Sequence, residues 1–474
     1  MTEKESPARS AEPIAATGAA DSRRWIALAF IAVAQLMIAL DATVTNIALP
    51  SAQADLGFSD EHRQWVIIAY TLAFGGLLLL GGRLADHLGR ARALPVGLLG
   101  FAAASMLGGF ATNFGVLVAA RGLQGAFAAL LAPTVLSLIA TTFTEPKERS
   151  KAFAIFGAIA GSGGALGLVL GGVLAEDLTW RACMYVNAPI AVVAAVGVRY
   201  VLGGSGPTRR TRLDLPGGLL AIGGMTSIVF GCTQNTVLLG VGLVLLAAFA
   251  VWEARVPEPL LPLRILRSRN RVGAYLAVAF SVAGMLGMFL FLTYYLQTVL
   301  GYLPVQAGLA FLPLSAAVLA SSQLAARLQA HLPPRALIAS GLLVAAAALG
   351  LLTGLSSTGA YATDVLPAEI LLGLGMGCVF PSAMSVATQQ VNPRDAGVAA
   401  AVVNTAQQVG GSIGVAVLNA IATGVAAVAH ADALVAGYTA AAFWAALAFA
   451  TGALVTAVLI NAKAPKRQQG RLSK

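Results

Sequence analysis

Charge is what this sequence has least of. Only 11% of its 474 residues are Asp, Glu, Lys or Arg, against roughly 25% in a soluble domain. A chain so poor in charge cannot cover a water-facing surface, which excludes an ordinary soluble enzyme and a disordered protein. Cysteine is scarce too. Cys183, Cys232 and Cys378 lie far apart, in or beside apolar segments. They read as small core residues and exclude a disulfide scaffold. His62, His87, His331 and His430 have no metal-ligand spacing. No GxxxxGK[ST] phosphate loop is present, which argues against an ATP-driven pump. The Ser and His residues form no arrangement that supports enzymatic chemistry. No basic stripe is interleaved with aromatics, so the net charge of +10 does not point to nucleic acid.

Apolar length is what the chain has in excess. Hydrophobic residues make up 58% and mean hydropathy is +0.81. The apolar runs are long, which predicts membrane helices rather than a β-barrel. A helical crossing needs ~20 such residues. Fourteen segments qualify: 25–48, 64–82, 93–111, 115–140, 152–174, 183–203, 214–231, 237–252, 272–299, 305–326, 336–356, 367–388, 397–424 and 438–461. The seventh and eighth are the least marked. Gly217, Gly218, Gly223 and Gly224 dilute one, and the other is short. The polar stretch 1–24 reads as a disordered cytoplasmic tail. The run after it is too long for a signal-peptide core and has no convincing cleavage site, so it reads as an uncleaved first span.

An even count puts both termini on one side, and basic residues choose that side. With the termini cytoplasmic, all Lys and Arg fall in inner segments except Arg63, Arg181 and Arg121. Arg63 and Arg181 are outside, and Arg121 lies within a span. A one-span error in the middle would destroy this bias. The chain also repeats itself. RLADHL at 83–88 matches RLQAHL at 327–332, RGLQGAFAALLAP at 121–133 matches EILLGLGMGCVFP at 369–381, and GGALG at 163–167 matches GGSIG at 410–414, in order and at nearly equal offset. The predicted plan is therefore a tail (1–24), a six-helix half (25–203), an inserted helix pair with cytoplasmic linkers (204–271), a second six-helix half (272–461) and a basic tail (462–474). Paired repeats with a site between them are a transporter pattern.

Few groups inside the spans carry chemistry. Asp41 lies well inside the first span. An isolated carboxylate facing lipid costs several kcal/mol, so it should face the bundle interior or a wet cavity. It is either a proton or cation site or a structural hydrogen-bond acceptor. Arg121 cannot itself release a proton; it either biases the ionisation of an acid such as Asp41 or clamps two helices. Gln124 and Gly125 share its face. The repeat matches Glu369 to Arg121. Glu369 is a possible second acidic site, an attractor for a cationic substrate, or a solvated residue at the outer mouth. Gly82, Asp86, Gly89 and Arg90 belong to a short, ordered inner loop, GGRLADHLGRAR (81–92), suited to a cytoplasmic gate that forms and breaks. In span five, Gly163, Gly167 and Gly171 recur at i+4, as do Gly157 and Gly161, with Gly164 and Gly172 on an adjacent face. That is close-packing chemistry. Gln124, Tyr294, Gln297, Asn404 and Gln408, with neighbours such as Tyr295 and Gln407, are candidates for a substrate cavity. Aromatic faces also bind organic cations.

These residues resemble the major facilitator superfamily, and within it the fourteen-span drug:proton antiporter branch. The resemblance is carried by LDATVTNIALP (40–50), GGRLADHLGRARAL (81–94), LVAARGLQGAFAA (117–129), WRACMYVNAPI (180–190) and YYLQTVLGYLPVQAGLAFLP (294–313), and it covers essentially the whole chain except the tails. One position departs: Leu168 stands where the branch carries a proline in span five. A proline there would open a backbone hydrogen bond and permit a kink, so its loss weakens the case for a hinge in this span. The resemblance implies a polytopic all-α membrane protein in which two six-helix halves rock about a central cavity. It implies that a proton bound at Asp41, influenced by Arg121, drives export of a lipophilic, often cationic, compound, and that Asp86 and the loop arginines lock the inner face. It implies no cofactor beyond the coupling proton. The expected partners are the lipid bilayer and a small organic substrate, the expected state is a monomer, and the expected place is a bacterial plasma membrane. Export of a single endogenous metabolite is the alternative. A transporter-like sensor that moves nothing is a more distant one.

Overall fold

The computed structural model describes residues 15–202, 213–233, 235–329, 331–389, 391, 396–429 and 432–462. Fourteen helices among them are long and apolar enough to cross a membrane. They are α1 (Arg24–Leu56), α2 (Gln64–Leu88), α3 (Arg90–Gly109), α4 (Phe114–Thr142), α5 (Lys151–Asp177), α6 (Trp180–Val201), α7 (Leu215–Cys232), α8 (Thr236–Glu253), α9 (Arg269–Val299), α10 (Pro304–Leu328), α11 (Pro334–Gly354), α12 (Tyr361–Thr388), α13 (Gly397–Val428) and α14 (Ala433–Leu459). Each coincides with one segment expected from the sequence.

The N-terminal tail needs correction. Residues 1–14 lie outside the described residues, but from Ala15 the chain is already helical and runs unbroken into α1. Alanines at 15, 16, 19 and 20 supply strong helix formers, so nothing stops the helix at Arg24. Arg209, Arg210 and Arg212 of the expected linker, and the basic tail from 463 on, also lie outside the described residues.

The internal repeat appears as repeated packing. In the first half α2 and α3 pack on α4, α1 packs on α5, and α3 packs on α6. In the second half α10 and α11 pack on α12, α9 on α13, and α11 on α14. Matched glycines make matched contacts. Gly163 faces Ala39 of α1, and Gly410 of α13 faces Ala279 of α9. Pro133 and Pro381 lie inside α4 and α12 at matching positions.

The inserted pair, glycine-diluted in its first helix and short in its second, is as hydropathic as the other spans, at 1.6 and 2.1. α7 packs on α8 and also touches α2 and α13, so it covers one seam between the halves. Trp65 of α2 stacks on Phe230 of α7 with ring centroids 4.1 Å apart. A methyl at Gly224 would come within 2.8 Å of Leu246, and one at Gly242 within 2.7 Å of Ile228. The glycines that dilute α7 let the pair close up, the usual means of helix contact in lipid. The outward residues of α8, such as Val237 and Val244, are exposed and suit lipid.

The halves meet on two flanks, α2 with α13 and α5 with α10. Hydrogen bonds join them at or outside the level of Gly75 and Thr405. Thr405 Oγ1 reaches Gly75 O at 3.4 Å, Thr71 Oγ1 lies 2.7 Å from Ser412 Oγ, and Asn46 Nδ2 donates to Thr293 Oγ1 at 2.9 Å. With the basic loops taken as the inner side, these bonds close the molecule on its outer face.

Candidate functional site

The first cluster lies in the core of the N-terminal half. Asp41 of α1 and Arg121 of α4 are both buried. Arg121 Nη1 donates to Asp41 Oδ2 at 2.6 Å. One helical turn along α4, Gln124 Nε2 donates to Asp41 Oδ1 at 2.9 Å, while Gln124 Oε1 accepts from Arg121 Nη1 at 2.9 Å. Asn187 of α6 donates to Asp41 Oδ1 at 2.8 Å and to Ser105 Oγ of α3 at 3.0 Å. Ser105 in turn donates to Met184 O at 2.7 Å. Arg121 Nε reaches Val66 O of α2 at 3.2 Å, and its guanidinium lies 4.4 Å from the centre of the Tyr70 ring. Gly125 lets α2 come this close, with Phe74 N 3.0 Å from where a methyl would stand. The network thus draws on α1, α2, α3, α4 and α6.

Asn187, Ser105 and Tyr70 were not singled out in the sequence. The available signal was polar side chains inside apolar spans, and Asn187 stands within the WRACMYVNAPI motif. Periodicity alone could not say that it points at Asp41.

Glu369 is not a solvated mouth residue. It is 1% exposed on α12. Tyr361 Oη donates to Ala310 O at 2.6 Å and lies 3.2 Å from Glu369 Oε2, and Glu369 Oε1 has no partner. No salt bridge to it occurs among the described residues. The repeat gives Arg121 and Glu369 related positions, but each stays within its own half.

The inner loop is stapled to itself. Gly89 has φ +83°, a conformation that favours glycine, and it breaks the chain between α2 and α3. Arg90 bridges that break to Asp86, with Nε and Nη2 at 3.0 and 2.9 Å from Oδ1. Gly81 lets α2 lie on α4, where a methyl would run into Ala129 O, whereas a methyl at Gly82 would make only ordinary contact with Pro133 at 3.6 Å. Arg83 reaches Pro259 O at 2.7 Å and the Glu258 carboxylate at 3.5 Å. The loop is therefore tied to the linker after α8. The Asp86–Arg90 pair does not bridge the halves, as a lock of the inner face would.

Span five packs as its glycines predict at Gly163, Gly167, Gly171 and Gly172, but Gly157 has open space around it and Gly164 only a loose contact with Thr43 at 3.9 Å. Methyls at Gly163 and Gly171 would meet Ala39 and the Val44 backbone of α1 at 2.8 Å. Gly167 lies over Leu40 and Thr43. Gly172 faces the other way, onto the Val305 backbone of α10. Gly308 of α10 packs against the carbonyl of Leu168, where the resembling branch carries its proline. The helix is unbroken there.

The five expected cavity residues do not share one cavity. Gln124 is in the Asp41 network. Tyr294 and Gln297 belong to the outer closure: Tyr294 donates to Gln53 Oε1, and Gln297 Nε2 to Ile47 O at 3.0 Å. Asn404 and Gln408 are half-buried on α13, where the Gln408 stem lies against Gly75. Helical spacing fixed which face each occupies, not where along the spans the halves touch. A cavity of about 380 Å³ instead opens between the inner parts of α1 and α5, lined by Trp25, Leu28, Leu36, Ile155 and Ile159 among others. It is almost wholly apolar. Among the described residues no group of His, Cys, Asp and Glu could hold a metal ion.

The outer closure contains Arg63, which the sequence assigned only to an outer loop. Its side chain is almost fully buried. Nε donates to Asn419 Oδ1 at 3.2 Å, and the guanidinium lies 4.2 Å from the centre of the Tyr294 ring.

Comparison with known proteins agrees with this architecture. The family model described as Major Facilitator Superfamily matches residues 31–415. The puromycin resistance protein pur8 of Streptomyces alboniger is 51% identical, the match covering 96% of this chain and 94% of that protein. The cephamycin export protein CmcT of Amycolatopsis lactamdurans is 39% identical over 83% of this chain and 84% of its own. A crystal structure of a bacterial homologue of the human lysosomal transporter Spinster, inward-facing and occupied, superposes with a TM-score of 0.65 at 16% identity, covering 90% of this chain and 95% of that one.

Proposed function

We propose that this chain, which belongs to the Major Facilitator Superfamily, exports antibiotics or similar lipophilic organic compounds across a bacterial plasma membrane in exchange for protons. Membership follows from the family match over 31–415 and from a 51% identical relative spanning nearly the whole chain. The drug class is supported by what relatives are named for: puromycin resistance and cephamycin export.

Proton coupling rests on one observation, a carboxylate with 1% exposure inside a membrane span that makes a 2.6 Å ion pair with an equally buried arginine. Such groups are expensive in a bilayer and are functional by default. A proton on Asp41 cancels the ion pair and leaves Arg121 Nη1 with Gln124 Oε1 alone. Arg121 still holds α2 through Val66 O and the Tyr70 ring. α2 carries Thr71 and Gly75 to the seam with α13, and Arg63 directly precedes it. A proton at Asp41 therefore changes the restraint on the helix that joins the halves. Substrate reaches the protein from the inner side, where the apolar cavity between α1 and α5 suits a lipophilic molecule.

The test uses inverted membrane vesicles acidified inside by respiration. Puromycin, a cephamycin, lipophilic cations and amino acids are added in turn, and a pH-sensitive dye reports proton release. Release by several unrelated compounds, lost with Asp41→Asn, is the expected result. Release by one compound narrows the reading to a dedicated exporter. Drug efflux without proton movement refutes the coupling.

A further inference from the structure

The surroundings of Arg63 form a built cation site whose walls all belong to the opposite half. Arg63 precedes α2 in the N-terminal half. Around its guanidinium stand Tyr294, Phe291 and Tyr438, with ring centres 4.2, 5.9 and 5.8 Å from Cζ. Phe291 and Tyr294 are on α9 and Tyr438 is on α14. Asn419 of α13 accepts from Arg63 Nε at 3.2 Å. All four are buried, and Phe291 and Tyr438 pack together at 5.5 Å. The Tyr438 hydroxyl has no partner. The cage itself holds no carboxylate. The acid near Arg63 is Asp60, 3.5 Å away, which stays with the N-terminal half and is tied there by Gln53 at 2.8 Å.

Opening of the outer seam withdraws Arg63 and Asp60 together and leaves the three rings and Asn419 as a preformed neutral concavity. Neutral aromatic walls attract soft, weakly hydrated cations and give a metal ion no ligand set. We propose that Phe291, Tyr294, Tyr438 and Asn419 form an outer-vestibule site for organic cations with a guanidinium or alkylammonium head. Arg63 occupies it as a tethered competitor while the outside is closed. Closing the seam then expels a departing cation and bars its return. The identity of that cation as cargo rests on the export reading; the site itself does not.

The purified full chain in detergent is titrated with ethylguanidinium chloride, with ethylurea as the uncharged isostere and sodium chloride as the salt control, and thermal unfolding is followed. Arg63→Ala should gain a saturable rise in melting temperature with ethylguanidinium alone. The parent protein should not respond, because its cage is filled. Adding Tyr294→Leu to Arg63→Ala should weaken the apparent affinity roughly thirtyfold. Arg63→Gln, which keeps a hydrogen-bond donor, serves the same role if Arg63→Ala does not fold. No response in either variant, an equal response to ethylurea, or an equal response in the parent overturns the site. A saturable response of the purified variants, alongside vesicles of the parent that show no drug export, would uphold the cage and remove the export reading; export without a cation response would do the reverse.

Discussion

Asp41→Asn tests the proton site through both stability and transport. The ion pair it removes is almost fully buried on both sides. Taking one partner from such a pair costs about 3–5 kcal/mol, because the other charge remains buried and uncompensated. Here the loss should sit near the lower end. Arg121 keeps Gln124 Oε1, Val66 O and the Tyr70 face. The amide that replaces the carboxylate can also turn its N–H toward the Asn187 oxygen, which lacks a partner beside Asp41. A double variant, Asp41→Asn with Arg121→Gln, removes both charges and leaves only a few neutral hydrogen bonds to lose, each worth about 1 kcal/mol. The double variant should therefore be more stable than Asp41→Asn alone by about 1–2 kcal/mol. Equilibrium unfolding in mixed micelles, run as a double-mutant cycle, measures this. Drug-induced proton release in inverted vesicles should be absent from both variants. Strictly additive stabilities, or full proton release by Asp41→Asn, would refute the reasoning.

Three further outcomes are expected. Asn187→Ala should leave the Asp41–Arg121 pair intact but lower stability by about 1–2 kcal/mol and slow proton release several-fold in the same dye assay; an unchanged rate would confine Asn187 to packing. Gly171→Leu should cut expression and melting temperature, since its side chain would enter the Val44 backbone at a cost of about 1–3 kcal/mol, whereas Gly157→Ala, with open space around it, should be tolerated. Asp86→Asn should leave melting almost unchanged, because the Asp86–Arg90 pair is about one-third exposed and such pairs contribute ~0–1 kcal/mol. It should slow turnover while substrate binding persists, and unchanged turnover would remove the gate role.

Within the site, legibility followed chemistry. Asp41, Arg121 and Glu369 stood out because ionisable groups are rare in apolar spans. Gly163, Gly167 and Gly171 stood out because their i+4 spacing defines one helix face. Asn187 and Ser105 did not, because a lone polar residue in a span has no periodicity that names its partner. Tyr294 and Gln297 showed the limit in the other direction. Their residue types suggested a cavity lining, but both lie in the closed outer seam, a property of the conformational state and not of α9.

The chain by itself determined the number of crossings, their order, the side on which the basic loops lie and the twofold repeat. Each follows from local quantities, namely apolar run length, loop charge and motif spacing, which the bilayer reads segment by segment. Tertiary structure alone decided that Asp41 meets Arg121, Gln124 and Asn187 from two other helices, that the Asp86–Arg90 staple faces its own loop, and that Arg63 sits among rings from the opposite half. The contacts of Asp41 with Arg121 and of Arg63 with Asn419 join residues 80 and 356 positions apart. They depend on how helices pack in lipid, where small residues and buried polar partners, not the hydrophobic pattern, select which faces touch.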